Sequence, residues 1–256
     1  MTLHWMTALI AVAANAAAQT SSPIPSAETI IGHMVQARAE NRAHLRPYQL
    51  TRDYKLFLGK ETQMSKSEVI AGVTFEPPAS KSYVIKETKG GALGEKVVRL
   101  ILTSEVELLK NQASTEISMA NYGFRFIGEQ VLENRTCFVL ELLPLRKDKN
   151  LLRGKIWVDS LTYLVRRVDG EPAKSESLLL RNVHIVLGYG DVSGMWLQTS
   201  SESTGDVLLL GRHRMVSRDT DYQIGKGAVA AEKQKLFDAI VSRRFSFEFP
   251  LTPLRN

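Results

Sequence analysis

The sequence predicts an α+β protein: a meandering antiparallel sheet with two or three helices gathered on one of its faces. Three observations carry that expectation. Two long segments place apolar residues at helical spacing. Almost everything from Tyr122 to Ile224 reads as strand and turn. The turns between those strands are short and rich in Gly, Asp and Asn, as in a meandering antiparallel sheet.

The elements follow in order. "MTLHWMTALIAVAANAAAQ" has an uncharged run from Met6 to Ala14 and then Ala16-Ala17-Ala18. That is the build of a secretory signal peptide, so residues 1–18 are expected to be cleaved and the mature chain to be exported to the periplasm. The run is too short to span a bilayer, and no other segment is long and apolar enough. Residues 19–25 form a polar, proline-containing leader, and residues 26–256 form a single domain. Ser26 stands at an N-cap position before Ala27, Ile30, Ile31, Met34 and Val35, which predicts a helix ending between Ala43 and Arg46, ahead of Pro47.

"YQLTRDYKLFLG", "SEVIAGVTFEPP" and "KSYVIKET" read as strands. Lys89-Gly90-Gly91 is a break, and a second helix follows with Leu93, Val97, Leu100, Ile101, Leu108 and Leu109 on one broad stripe, ending near Asn111. The strands then come in close succession: "YGFRFIGEQVL", a turn at Glu133-Asn134-Arg135, "TCFVLELLPL", "GKIWVDS", "YLVRRVDG", "LLLRNVHIVLGYG", "MWLQTSSEST", "DVLLLGRHRMVSR" and "DTDYQI". A further helical pattern at Val229–Val241 and a strand at "FSFEF" are expected in a C-terminal extension, residues 225–256.

Composition is ordinary for a globular chain of 256 residues, with 44% hydrophobic and 23% charged residues and a formal net charge of +6. Mild basicity suits an anionic partner or a solvated basic surface. The basic pairs lack the interleaved aromatics of a nucleic-acid platform, so no nucleic-acid partner is expected. The lone cysteine, Cys137, sits in a strand-like run and reads as a small buried apolar residue. No cysteine follows the apolar leader, so no lipid anchor is expected there.

Catalytic signatures are missing from the sequence. The histidines His4, His33, His44, His184 and His213 do not stand at metal-ligand spacing, and there is no HExxH, no GxSxG and no phosphate loop. "GKGAVA" at Gly225–Ala230 fits GxGxxA, with Glu248 about 20 residues on, but a dinucleotide site needs a series of βαβ units around it. It reads as a connector. No catalytic residue, cofactor or metal is expected, and the chain is not read as an enzyme.

Alternation is impure where it should be clean. In "TCFVLELL", Phe138, Leu140 and Leu142 share one face while Val139 and Leu143 lie on the other. Such strands suit either core packing or a lined cavity. Candidate cavity residues are Phe138, Leu140, Leu142, Ile156, Val158, Leu178, Leu180 and Trp196; candidate lid residues are Ile30, Ile31, Met34, Val97 and Ile101.

Four motifs bear on the family. Gly154-Trp157-Val158-Asp159, Val168-Gly170-Pro172-Ala173-Lys174, Gly194-Trp196-Leu197-Ser200 and Asp206-Val207-Gly211 resemble those of the outer-membrane lipoprotein-sorting proteins with a LolA/LolB-like domain. "GGALGEKVVRLIL" and "NYGFRFIGEQ" are similar to the family's upstream segments, so the resemblance spans residues 26–224. It implies a strongly curved antiparallel sheet forming a half-open β-barrel with two or three helices across its concave face as a lid, and a carrier that shelters a lipid, or the acyl chains of a lipoprotein, in an apolar cavity, serving inner- or outer-membrane complexes. It also admits a second function, a periplasmic scaffold or envelope-stress sensor that uses the same fold to bind a protein partner.

Overall fold

In the computed structural model of the chain, residues 25–59, 64–175, 180–209 and 211–225 are described. The expected signal peptide, the expected C-terminal helix and strand and all of "GKGAVA" after Gly225 lie outside them.

The first helix, α1, spans Ala27–Ala43. It starts where the sequence says it should. Ser26 is extended, and its Oγ accepts a hydrogen bond from the Thr29 N–H, satisfying one of the donors that a helix start leaves free. Strands β1 (Tyr48–Leu58), β2 (Ser67–Glu76) and β3 (Ser80–Gly90) follow, then α2 (Ala92–Lys110) and a single turn, α3 (Gln112–Thr115), that periodicity could not have revealed. The remaining strands are β4 (Tyr122–Leu132), β5 (Arg135–Pro144), β6 (Leu152–Asp159), β7 (Val165–Pro172), β8 (Leu180–Val192), β9 (Met195–Val207) and β10 (Gly211–Ile224).

All ten strands form one open antiparallel sheet in the order β3-β2-β1-β10-β9-β8-β7-β6-β5-β4. Apart from the pairing of β10 with β1, every neighbour in the sheet is a neighbour in sequence. Short turns therefore fix most of the register. Glu133 and Asn134 both have positive φ, the geometry of a two-residue hairpin turn. One reading from sequence needs correction. "DVLLLGRHRMVSR" is not one strand: Val207 ends β9 and Gly211 opens β10, and Leu209, almost wholly exposed, turns the chain with φ 66°. Leu208 and Leu209 looked like strand core, but they lie at a hairpin tip.

The sheet is curved, and the motif glycines have a part in it. Gly154 and Gly170 face each other across β6 and β7. A Cβ on Gly154 would lie 2.1 Å from the Asp169 carbonyl oxygen, and one on Gly170 would lie 2.5 Å from that of Arg153. Only glycine allows the backbones this approach, so the sheet can bend sharply at this point. The motif aspartate has a structural duty as well. Asp159 is buried, and its Oδ1 accepts the N–H groups of Leu161 and Thr162 at 3.0 and 3.1 Å while Arg135 and Arg166 reach Oδ2. It closes the β6–β7 turn.

Two separate cores lie on the concave face. One gathers Ile30, Ile31 and Met34 of α1 with Tyr122, Phe138, Leu140, Leu142, Leu151, Ile156, Val158 and Val168. The other gathers Val98 and Leu102 of α2 with Leu50, Tyr54, Val69, Ala71, Val73 and Met215. The fold class expected from sequence is thus the one observed: an open antiparallel half-barrel with few helices against its concave side.

Candidate functional site

Register lets one row be followed across the concave face. Leu140 of β5 pairs with Ile156, Ile156 with Val168, Val168 with Leu187, Leu187 with Ser201, Ser201 with Ser217, Ser217 with Tyr54 and Tyr54 with Val69. Residues directly opposite one another share a face. The row is buried at both flanks. At Leu187 and Ser201, in the middle, it is half-exposed. The next row repeats this, with buried Leu142 at one end, half-exposed Ile185 and Ser203 in the centre, and buried Met215 and Ser67 at the other.

This is the reverse of an ordinary sheet packed under helices, where central strands are the best covered. The helices sit on the flanks, α1 on the β4–β7 side and α2 on β2 and β3. Between them β8 and β9 form the floor of a groove. Its β8 side carries Ile185, Leu187 and Tyr189; its β9 side carries Ser201, Ser203 and Gly205. Tyr189 also packs against the first core, and burial pushes its phenol up to about 12.

The two walls are fastened differently. On one side, α1 is pinned at its C-terminal end by Asn41, whose Nδ2 donates to the Trp196 carbonyl at 2.9 Å and whose Oδ1 accepts the Trp196 N–H at 2.7 Å. Arg38 donates to the Ile117 carbonyl and Arg42 to Glu116, which ties the same helix to the segment after α3. His33 lies against the Tyr163 ring, 4.6 Å between centroids.

On the other side, α2 is held by charge. The Arg52 guanidinium, its side chain 5% exposed, donates to both oxygens of Asp219 at 2.5 and 2.7 Å and to both oxygens of Glu105 at 2.9 Å. Lys81 of β3 completes the pair with Glu105. Burial opposes the charge on Arg52, yet Asp219 and Glu105 together hold its pKa above the ordinary value. Burial likewise pushes the Glu105 carboxyl up, but Lys81 and Arg52 outweigh it and the carboxyl titrates below its usual range. Asp219 goes the other way: its burial dominates and its pKa is raised. Burial also raises Tyr48 to about 12, against the pull of Arg52.

Beneath α2 a narrow gap that admits no water molecule is lined by Tyr54, Leu56, Ser67, Val69, Gly94, Val97, Val98 and Met215. It leaves no room for a small molecule, whose sites usually hold about 300–1,000 Å³. Gly94 lets the helix come this close, since a Cβ there would lie 2.0 Å from the Ser67 Oγ.

The candidate residues fall as follows. Phe138, Leu140, Leu142, Ile156 and Val158 do come together, and Ile30, Ile31 and Met34 pack directly on them. In this conformation they form a filled core and not an open pocket. Val97 and Ile101 are half-buried against the second core. Leu180 is half-buried at the start of β8, away from either cluster, and Leu178 lies outside the described residues. Trp196 is also apart. Its Nε1 donates to the Val165 carbonyl at 2.7 Å and Arg166 lies over its ring, so it fastens β9 to β7.

The expected stripe of α2 is out of phase. Its buried positions are Gly94, Val98 and Leu102, while Leu93 and Leu100 face solvent, Leu100 at 62% exposure. The phase is set by Glu105, one turn beyond Leu102, which must point inward to reach Arg52. On α1, Val35 is turned outward as well. The described histidines have local partners: His44 bonds the Glu40 carbonyl, His184 the Asp169 carboxylate and His213 the Gly211 carbonyl. Among the described residues no helix is long and apolar enough to cross a membrane. Sequence reasoning missed the groove floor. The signal was there, in the unbroken polar run "QTSSEST" in what became a central strand.

No family model and no curated protein matches the chain. Solved structures do. An outer-membrane lipoprotein-sorting protein domain from Vibrio parahaemolyticus is similar at 16% identity and TM-score 0.42, over 79% of this chain and 94% of that one. A DUF1329 family protein from Desulfovibrio piger is similar at 14% identity and TM-score 0.39, over 78% and 93%. A LolA superfamily protein from Nitrosomonas europaea is similar at 11% identity and TM-score 0.34, over 78% and 94%.

Proposed function

We propose that the protein is an exported, non-catalytic binding protein that shelters an acyl chain, of a lipid or of a lipoprotein, in the groove between α1 and α2. The observation that carries this reading is the half-exposed centre of the concave face between two sealed flanks. Ile185 and Leu187 present apolar surface there, and the packed candidates Phe138, Leu140, Ile156 and Val158 continue it under α1. An acyl chain laid on that floor would remove its methylenes from water at about 0.8 kcal/mol each, with no reactive group required. A longer chain would be admitted by lifting a helix. In this reading α2 is the wall that moves, because beside the apolar contact of Val97, Val98, Ile101 and Leu102 its hold is ionic, through Glu105.

The motifs that resemble lipoprotein-sorting proteins support the same reading, as does the secretory build of residues 1–18. The test is mass spectrometry of an organic extract of the protein purified from the periplasm. The carrier reading expects a stoichiometric acyl species. A clean extract, together with a protein partner recovered by crosslinking in the cell, would move the assignment to a scaffold.

A further inference from the structure

The groove floor has two chemistries side by side. Along β8 it is apolar, with Ile185, Leu187 and Tyr189. Along β9 and β10 it is lined with hydroxyls: Ser201 is opposite Leu187, Ser203 is opposite Ile185, and Ser217 is opposite Ser201. The Ser201 and Ser217 hydroxyls bond each other at 2.8 Å. The Ser203 hydroxyl makes no hydrogen bond among the described residues. A central strand whose inward positions are serine and glycine gives up apolar contact that valine or isoleucine would supply, and a dry hydrocarbon site gains nothing from half-exposed hydroxyls.

Charge on the floor is just as informative. The rows Leu187–Ser201–Ser217–Tyr54 and Ile185–Ser203–Met215–Leu56 contain no ionised side chain. The next inward pair, Arg52 and Asp219, is closed on itself by two bonds. A carboxylate or phosphate seated here would lose water and meet no cation in these rows, whereas an ester or a hydroxyl would meet hydroxyl partners of its own kind.

We infer that the groove takes a neutral monoacyl lipid, its ester or hydroxyl on the Ser201–Ser203 strip and its chain running along Ile185 and Leu187 toward α1. The inference rests on the carrier reading and adds the substrate class to it. Ser203 is the free hydroxyl and so the one that selects.

The experiment is displacement of a fluorescent acyl probe from the full mature protein by monopalmitoylglycerol and, separately, by palmitate. The neutral lipid is expected to bind about tenfold tighter, the yield of roughly one unshared hydrogen bond plus the desolvation of the anion. Ser203→Ala should weaken monopalmitoylglycerol about fivefold, one hydrogen bond's worth, and leave palmitate within about twofold. Ser203→Thr keeps the hydroxyl and should restore the preference. Equal or tighter binding of palmitate, or a Ser203→Ala effect that is the same for both lipids, overturns the inference while probe binding itself leaves the carrier reading standing. If the folded protein binds no acyl probe at all, the carrier reading falls and this inference with it.

Discussion

The two flanks of the concave face solve one problem in different ways. Both must hold a helix against a sheet. Under α1 the contact is apolar and filled: Ile30, Ile31 and Met34 are buried on Phe138, Leu140, Leu142 and Ile156, and Asn41 locks the far end onto the backbone of β9. Under α2 only Val98 and Leu102 are large, apolar and fully buried, a narrow gap remains, and Glu105 fastens the helix to Arg52 and Lys81. An apolar contact is non-directional and degrades gradually as it is pulled apart. A buried ion pair depends on geometry and leaves an expensive unpaired charge when one partner goes. The contrast makes α1 a fixed wall and α2 a latched one.

That contrast can be broken most severely at the fixed wall. Ile31→Glu places a carboxylate in a filled core with no cation beside it, a cost of several kcal/mol, and should prevent folding. Val97→Glu, at a half-buried position of α2, should leave a folded protein whose acyl-probe binding is weakened. Thermal unfolding and probe titration of the two variants side by side check this. Equal damage from both would mean that the two walls are alike.

The latch comes next in size. Arg52→Ala leaves Asp219 and the partly exposed Glu105 facing each other without their shared cation, and should cost about 3–5 kcal/mol in denaturant unfolding. Lys81→Ala removes a cation from Glu105 alone and should cost far less. A large effect from Lys81 and a small one from Arg52 would place the hold on α2 at its edge and not beneath it.

The smallest expected effect is the pH dependence. Glu105 titrates below its ordinary 4.5 and Asp159 below its ordinary 3.8. A carboxyl with a depressed folded pKa adds stability that is fully present above its unfolded value and is lost as pH falls through the folded one. Stability should therefore fall below about pH 4.5, first through Glu105 and then through Asp159. Asp219, raised by burial, works in the opposite sense because it takes up its proton more readily folded than unfolded. Melting curves between pH 3 and 7 should show a shallower acid loss for Glu105→Gln than for the wild type. Superimposable pH profiles would remove Glu105 from the latch.

Much of the scaffold could be read from local signals. Ser26 and Pro47 bracketed α1, and Gly90-Gly91 and Asn111 bracketed α2, because caps and breakers act within a few residues. The gathering of Phe138, Leu140, Leu142, Ile156 and Val158 followed from period-two alternation in adjacent strands. The phase of α2 was hidden, since apolar positions alone favoured Leu93 and Leu100, while the deciding residue was a glutamate whose partner lies 53 positions away. Asp219 is 167 positions from Arg52, and nothing local pairs them. The groove was hidden for a similar reason. Hydrophobic periodicity marks what is buried, and a floor of serines carries no such mark until register sets Ser201 and Ser203 opposite Leu187 and Ile185.

In the proposed function, ligand lies on the floor between the walls. Ser203→Trp tests it most directly, because Ser203 stands between Ile185 and Met215 at the half-exposed centre of the groove, the space an indole there would fill. The measurement is acyl-probe affinity together with thermal unfolding of the same sample. The expected result is a cooperative unfolding transition near that of the wild type and a loss of affinity of more than about tenfold, about 1.4 kcal/mol of binding free energy. A folded variant that binds the probe as tightly as the wild type would contradict it.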